Sequence, residues 1–164
     1  MAMVFSVRHF WCILSLLSFS VQAQPSEIAC LTTNIFFEAR GESLRGMQAI
    51  ADVTLNRVAH TAFPDSICGV VLQPNQFSWV RGNRKAAMRM LRGDLRGLNS
   101  KEASAYQKSK ELAVAALTDG YKPMLPRNIV SFHNRGVVPS WSTTMQRYAI
   151  IGNHVFYSFK RKGK

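Results

Sequence analysis

The sequence predicts an α+β fold, with helices first and a small antiparallel β-sheet last. Three observations lead there. Apolar residues recur at helical spacing in two N-terminal stretches and one central stretch. From Pro123 onward the pattern changes to short runs of β-branched and aromatic residues. Between the last two runs stands Gly152-Asn153, a good two-residue hairpin turn.

After Pro25, Ser26 is the expected N-cap of a helix to about Ala39, with Ile28, Leu31 and Ile35 along one stripe and Gly41 ending it. A second helix over about 43–59 is expected to turn Leu44, Met47, Ala51, Leu55 and Val58 inward. "HTAFPDSICGVVLQPNQFSWVRGN" then reads as loop, short turn and loop, punctuated by Pro64, Gly69, Pro74 and Gly82. Residues 81–101 carry Arg81, Arg84, Lys85, Arg89, Arg92, Arg96 and Lys101 against Asp94 alone. Asn99 followed by Glu102 is a capping-box pattern that opens a helix to about Leu117, stopped by Gly120. "NIVSFHN", "QRYAII" and "HVFYSF" are the expected strands, and no repeat or second domain is evident.

The first 23 residues, "MAMVFSVRHFWCILSLLSFSVQA", read as a signal peptide. Arg8 and His9 precede an apolar run, and Val21 and Ala23 are the small residues signal peptidase accepts, which places cleavage after Ala23. The run is short and serine-rich for a membrane span, so the expected membrane contact is passage during export. Residues 24–164 leave 141 residues, enough for one domain with a real core. Removing the leader takes away Arg8 and no acid, so the formal charge falls from +12 to +11. Such a surface is drawn to polyanions, and export favours envelope polymers over nucleic acid. Cys30 and Cys68 are either two buried thiols or a disulfide, and the leader favours the disulfide of an oxidising compartment, closing a loop of about 39 residues worth about 4 kcal/mol.

Glu38 is the foremost candidate for chemistry. It falls on the core-facing stripe, where an unpaired charge is costly, and the neighbouring Phe36 and Phe37 favour its protonated form. A carboxyl that stays protonated at neutral pH suits a general acid acting on a glycosidic bond. The structural alternative is a helix-end glutamate paired with Arg40 or Arg57. Glu42 would stack one turn below Glu38 in a continuous helix, but Gly41 favours a supporting place at the start of the next one. His60, His133 and His154 stand apart in different elements and make no recognisable metal motif, so no metal and no cofactor are expected. Rings and planar amides cluster in "QPNQFSWV" (Gln76, Phe77, Trp79) and in "SFHNRGVVPSW" (Phe132, His133, Asn134, Trp141). Both suit a glycan groove, although core packing claims most such rings. Asn56, a poor helix former mid-helix, is expected to be there for a hydrogen bond.

Taken together, "FFEARGESLRGMQAIADVTLNRV", "FPDSICGVVLQPNQFSWV", "FHNRGVVPSW" and "IGNHVFYSF" resemble the SleB-type cell wall hydrolase family, which includes spore-cortex-lytic enzymes. The resemblance runs in order from about Cys30 to Phe159. It implies a lysozyme-like, lytic-transglycosylase-like single domain over 24–164, with peptidoglycan as its partner and Glu38 as its catalytic residue. It further implies cleavage between N-acetylmuramic acid and N-acetylglucosamine, with the muramic C6 hydroxyl closing onto C1. Arg40 and Asn56 would orient the acid, Glu42 would support it, and Gln76, Trp79, His133, Asn134 and Trp141 would hold sugars. The enzyme is expected to be exported and monomeric. The family's spore enzymes carry a peptidoglycan-binding repeat; here the basic stripe at 81–101 is expected to supply wall attraction instead. Two rival readings are a zinc-dependent N-acetylmuramoyl-L-alanine amidase and a non-enzymatic basic module that binds wall polymer or another polyanion.

Overall fold

A computed structural model describes residues 24–160; the expected leader, residues 1–23, lies outside the described residues. Each helix begins where its capping residue allows. α1 (Glu27–Ala39) starts after Ser26, whose hydroxyl accepts from the Ala29 N–H at 3.1 Å, and α2 (Leu44–Val58) starts after Ser43. α3 (Ile67–Leu72) follows Ser66 in the same way. α4 (Ser78–Gly82) and α5 (Arg84–Leu91) are short and nearly continuous. α6 (Ser100–Ala116) opens on a complete capping box, with Asn99 accepting from the Glu102 N–H and Glu102 accepting from the Asn99 N–H.

Three strands follow: β1 (Ile129–Asn134), β2 (Gln146–Ile151) and β3 (His154–Ser158). They form an antiparallel sheet in the order β1-β3-β2, so β3 is central and every residue of it is buried. Phe132 pairs with Phe156, and His154 lies between Asn134 and Ile151. Gly152 takes φ +57°, which the β2–β3 turn requires at its first central position.

α1 is the hub of the core and packs against α2, α3, α5 and α6. Leu31 and Ile35 of α1 meet Ile50 and Val53 of α2, with Val71, Ile129 and Phe156 closing the cluster. Cys30 and Cys68 are bonded, as expected, and fasten α1 to α3. Glu27 reinforces that junction by accepting from the N–H groups of Ile67 and Cys68.

Two buried polar side chains set the sheet against α2. Asp52 accepts from the Tyr121 hydroxyl at 2.6 Å and from the N–H groups of Met124 and Leu125 at 2.8 and 3.0 Å. Asn56 Nδ2 donates to the carbonyls of Pro126 and Ile129, both at 2.9 Å. Buried groups of this kind need partners, and here the partners are the backbone entering β1. That connection brings the next residue along α2, Arg57, beside Val130.

The segment expected as loop, turn and loop contains α3 and α4, and the basic stretch contains α5. Helices of five to eight residues between prolines and glycines are too short for a helical period to stand out. In α5 only Ala87, Met90 and Leu91 are buried, and the surrounding arginines obscure that spacing. Leu44, expected to face inward, is 66% exposed at the first position of α2, and the buried face of the helix begins with Gly46 and Met47.

Candidate active site

Glu38 sits in the last turn of α1, where the buried Leu31–Ile35 stripe runs out toward a pocket of about 230 Å³. The rings before it are fixed elsewhere. Phe36 meets Tyr106 edge-on at 5.9 Å, and Phe37 stacks on Trp79 at 4.9 Å. The Glu38 carboxyl lines the pocket with Arg57, Gln76, Phe77, Ser78, Phe132, His133, Asn134, Val137 and His154. It is half-buried and has no hydrogen-bond partner among the described residues. Burial strips water from the charged form and pushes its pKa from 4.5 to about 7, and the positive charge of Arg57 pulls more weakly the other way.

Arg57 is itself buried and held on all sides. Its Nε donates to the Val130 carbonyl at 2.6 Å. With the Gln76 amide oxygen turned inward, Nη1 and Nη2 donate to it at 2.9 and 3.1 Å. The guanidinium lies over the rings of Phe63 and Phe77. Burial lowers its pKa to about 10 while Glu38 opposes the shift, so it remains a cation at neutral pH.

The sheet supplies the opposite wall. His133 stacks on Tyr157, with Nδ1 2.9 Å from the Asn134 carbonyl and Nε2 2.9 Å from the Tyr157 hydroxyl. A carbonyl can only accept, so Nδ1 donates to it, and Nε2 shares a hydrogen bond with the Tyr157 hydroxyl. Trp141 meets both rings edge-on and remains partly exposed. His154 is buried, which lowers its pKa; Glu42 acts against that shift and His133 with it, and the ring is neutral at neutral pH.

Glu42 lies behind His154, with Oε1 3.9 Å from Nδ1, and accepts from the Asn153 N–H at 3.1 Å. It packs on Gly46 and Gly152, and a Cβ at either glycine would overlap it. Glu42 therefore clasps the β2–β3 turn to the start of α2, in keeping with the supporting place read from Gly41.

Of the residues read from the sequence, Glu38, Gln76, His133 and Asn134 meet in the pocket, and Trp141 stands beside it against His133. Three others are elsewhere. Trp79 is 4% exposed and belongs to the core, stacked between Phe37 and Phe77 rather than facing a groove. Arg40 is exposed, pairs with Glu102 at 3.4 Å and covers the Phe36 ring, so it does not orient Glu38. Asn56 directs its amide to the backbone before and within β1, not to the acid. Arg57, His154 and Phe132 complete the pocket. The signal for Arg57 resembled the one for Glu38: a charge on the buried Ile50–Val53 stripe of α2. Among the described residues, no three His, Cys, Asp or Glu side chains are grouped to hold a metal ion.

The geometry offers one proton donor poised near neutral pH, a fixed cation beside it, and an aromatic wall opposite. Among the described residues Glu38 is the sole carboxylate on the pocket lining.

Comparison with known proteins matches residues 41–157 to the Cell Wall Hydrolase family, beginning just after Glu38. The spore cortex-lytic enzyme of Bacillus cereus is 26% identical over 133 residues, which cover 80% of this chain and 44% of that protein. The spore cortex-lytic enzyme of Oceanobacillus iheyensis is 35% identical over 68 residues, covering 37% of this chain and 25% of that protein. The chain thus matches less than half the length of these relatives. Among solved structures, the catalytic domain of the germination-specific lytic transglycosylase SleB from Bacillus anthracis superposes with a TM-score of 0.58 at 23% identity. That match covers 85% of this chain and all of the domain. The SleB catalytic domain of Bacillus cereus gives 0.53 at 24% identity, covering 84% and 94%. The α+β fold is that of these domains, and the chain belongs to the cell wall hydrolase family.

Proposed function

We propose that this chain cleaves peptidoglycan glycan strands between N-acetylmuramic acid and N-acetylglucosamine as a lytic transglycosylase, with Glu38 acting first as acid and then as base. The observation that carries this reading is the half-buried Glu38 carboxyl, with a pKa of about 7, standing without a second carboxylate on its pocket among the described residues. A hydrolase of the two-carboxylate type needs a partner acid to activate water or to form a glycosyl-enzyme. An internal hydroxyl removes that need. Membership of the cell wall hydrolase family and the lytic activities named for its relatives support the same reading.

The steps balance on one side chain. Glu38 gives its proton to the glycosidic oxygen, and the bond between muramic C1 and that oxygen breaks, freeing the C4 hydroxyl of N-acetylglucosamine. The muramic C6 hydroxyl bonds to C1 and returns its proton to the Glu38 carboxylate. The product is a 1,6-anhydro end, and the acid is restored. Arg57 stabilises the carboxylate between the two transfers, and because its own hydrogen bonds go to Val130 and Gln76 it keeps its position throughout. His133, Asn134 and Trp141 present a ring face, an amide and an exposed edge for sugars along the opposite wall.

The work site is outside the cytoplasm. The leader-like residues 1–23 and the Cys30–Cys68 bond support export into an oxidising compartment. A zinc amidase finds no grouped ligands among the described residues to support it. Mass spectrometry of muropeptides released from purified sacculi tests the proposal. Anhydro ends are expected from the wild type and about a hundredfold or more fewer from Glu38→Gln; reducing ends or freed peptides would refute it.

A further inference from the structure

A second concavity lies one helical turn from the pocket. Ser78, on α4, lines the Glu38 pocket, and Arg81 and Gly82, one turn on along the same helix face, line a cleft of about 550 Å³ shared with α5. The cleft's charged side chains are Arg81, Arg84, Lys85 and Arg89, and no acid lines it among the described residues. The nearest acid in the chain, Asp94, is committed to Arg96 through two hydrogen bonds of 2.9 and 2.7 Å. Arg89 is anchored by donation to the Arg96 carbonyl, and its Nε is buried without a partner. Asp94 also feels the charge of Arg89, whereas Arg81, Arg84 and Lys85 have no acidic partner among the described residues, and together the four cations around one concavity form a site for anionic oxygens.

We propose that this α4–α5 cleft is a subsite for the carboxylates of the peptide stem carried by the muramic residue being cut. The inference rests on the reading of peptidoglycan as substrate. Distance favours the stem over any separate polymer. One helical turn advances about 5 Å, and an extended peptide covers about 3.3–3.6 Å per residue. A stem of two to four residues on a sugar beside Glu38 therefore reaches the cleft, bringing its carboxylates to the cations of α4 and α5. The site makes the enzyme selective for peptide-bearing over bare glycan.

The test measures binding by Glu38→Gln protein, which leaves the ligand uncut, of a muropeptide disaccharide with its stem and of the same disaccharide without it. The stem is expected to tighten binding about tenfold. Adding R81Q, R84Q and K85Q, all exposed positions, is expected to reduce that ratio to about one. A ratio that survives the three changes, or no preference in the first place, overturns the proposal. Equal weakening toward both ligands overturns it too, by reducing the cleft to diffuse attraction. Tighter binding of a polyol-phosphate oligomer, lost in the same variant, would assign the cleft to another polymer. Binding is read without turnover, so failure of the wild type to cut glycan would count against Glu38 chemistry and leave this result standing on its own.

Discussion

Arg57 lends Glu38 its charge while giving its hydrogen bonds elsewhere, to the Val130 carbonyl and the Gln76 amide. The carboxyl is thereby shifted by two opposed effects, and burial is the larger. A direct hydrogen-bonded pair would have kept Glu38 ionised and useless as a proton donor. Burial alone would have made the conjugate base too hard to reach for the second half of the proposed reaction.

The first prediction concerns the pH profile. With the protonated carboxyl as the active form, kcat/KM falls about tenfold per pH unit above about pH 7. Arg57→Gln removes the effect that lowers the Glu38 pKa, so this limb moves to higher pH. The maximal rate drops at the same time, because the carboxylate between proton transfers loses its cation. A limb that stays in place in Arg57→Gln would contradict the coupling.

Glu38 also carries a stability signature. Its folded pKa of about 7 lies above the ordinary 4.5, so the native state holds the proton more tightly than the unfolded chain does. The stability this contributes is complete below about pH 4.5 and is lost as pH rises through about 7. Glu38→Gln loses activity by about a hundredfold to ten-thousandfold. Relative to wild type it gains stability between about pH 5 and pH 8, by about 1–3 kcal/mol. Thermal melts of both proteins across that range check the sign, and a constant difference would contradict it.

The fold class, three long helices and three strands were legible because each carries a period or a turn that local chemistry dictates. Ser26, the Asn99–Glu102 box and the Gly152 turn are local signals, and the structure uses all three. Glu38 was legible for a related reason: a charge on a buried stripe has to be explained. Arg57 gave the same signal on α2, but only the fold shows the two stripes converging on one pocket. Trp79 and Asn56 were the opposite case. A ring or an amide looks the same in sequence whether it meets a ligand or the protein, and here the partners are Phe37 for one and the Pro126 and Ile129 carbonyls for the other.

Asn56 should therefore act as a structural residue. Asn56→Ala removes both bonds and takes this donor from the buried Ile129 carbonyl, while the Pro126 carbonyl keeps the Ile129 N–H; the expected cost is about 1–3 kcal/mol. Urea unfolding measures the loss, and the pH–rate limb of the folded fraction should not move. A shifted limb would return Asn56 to the acid's surroundings.

The disulfide separates stability from chemistry in the same way. The Cys30–Cys68 bond closes a 38-residue separation between α1 and α3. Replacing both cysteines by serine is expected to lower stability by about 4 kcal/mol on the chain-entropy account. Calorimetry reads the drop, while the rate of the folded protein stays near wild type.

At the β2–β3 turn, Gly152→Ala meets two obstacles: a positive φ of +57° and the Glu42 carboxyl where its Cβ would lie. The expected cost is about 1–3 kcal/mol, read as a lower melting temperature. The adjacent His154 wall should loosen with it, because Glu42 is what clasps the turn.

The most direct measurement is a carbon-13 NMR titration of the Glu38 carboxyl, assigned by its disappearance in Glu38→Gln. A midpoint of about 7 is predicted. A midpoint near the ordinary 4.5 would mean the group is ionised wherever the enzyme works, and a single-acid mechanism would fail with it.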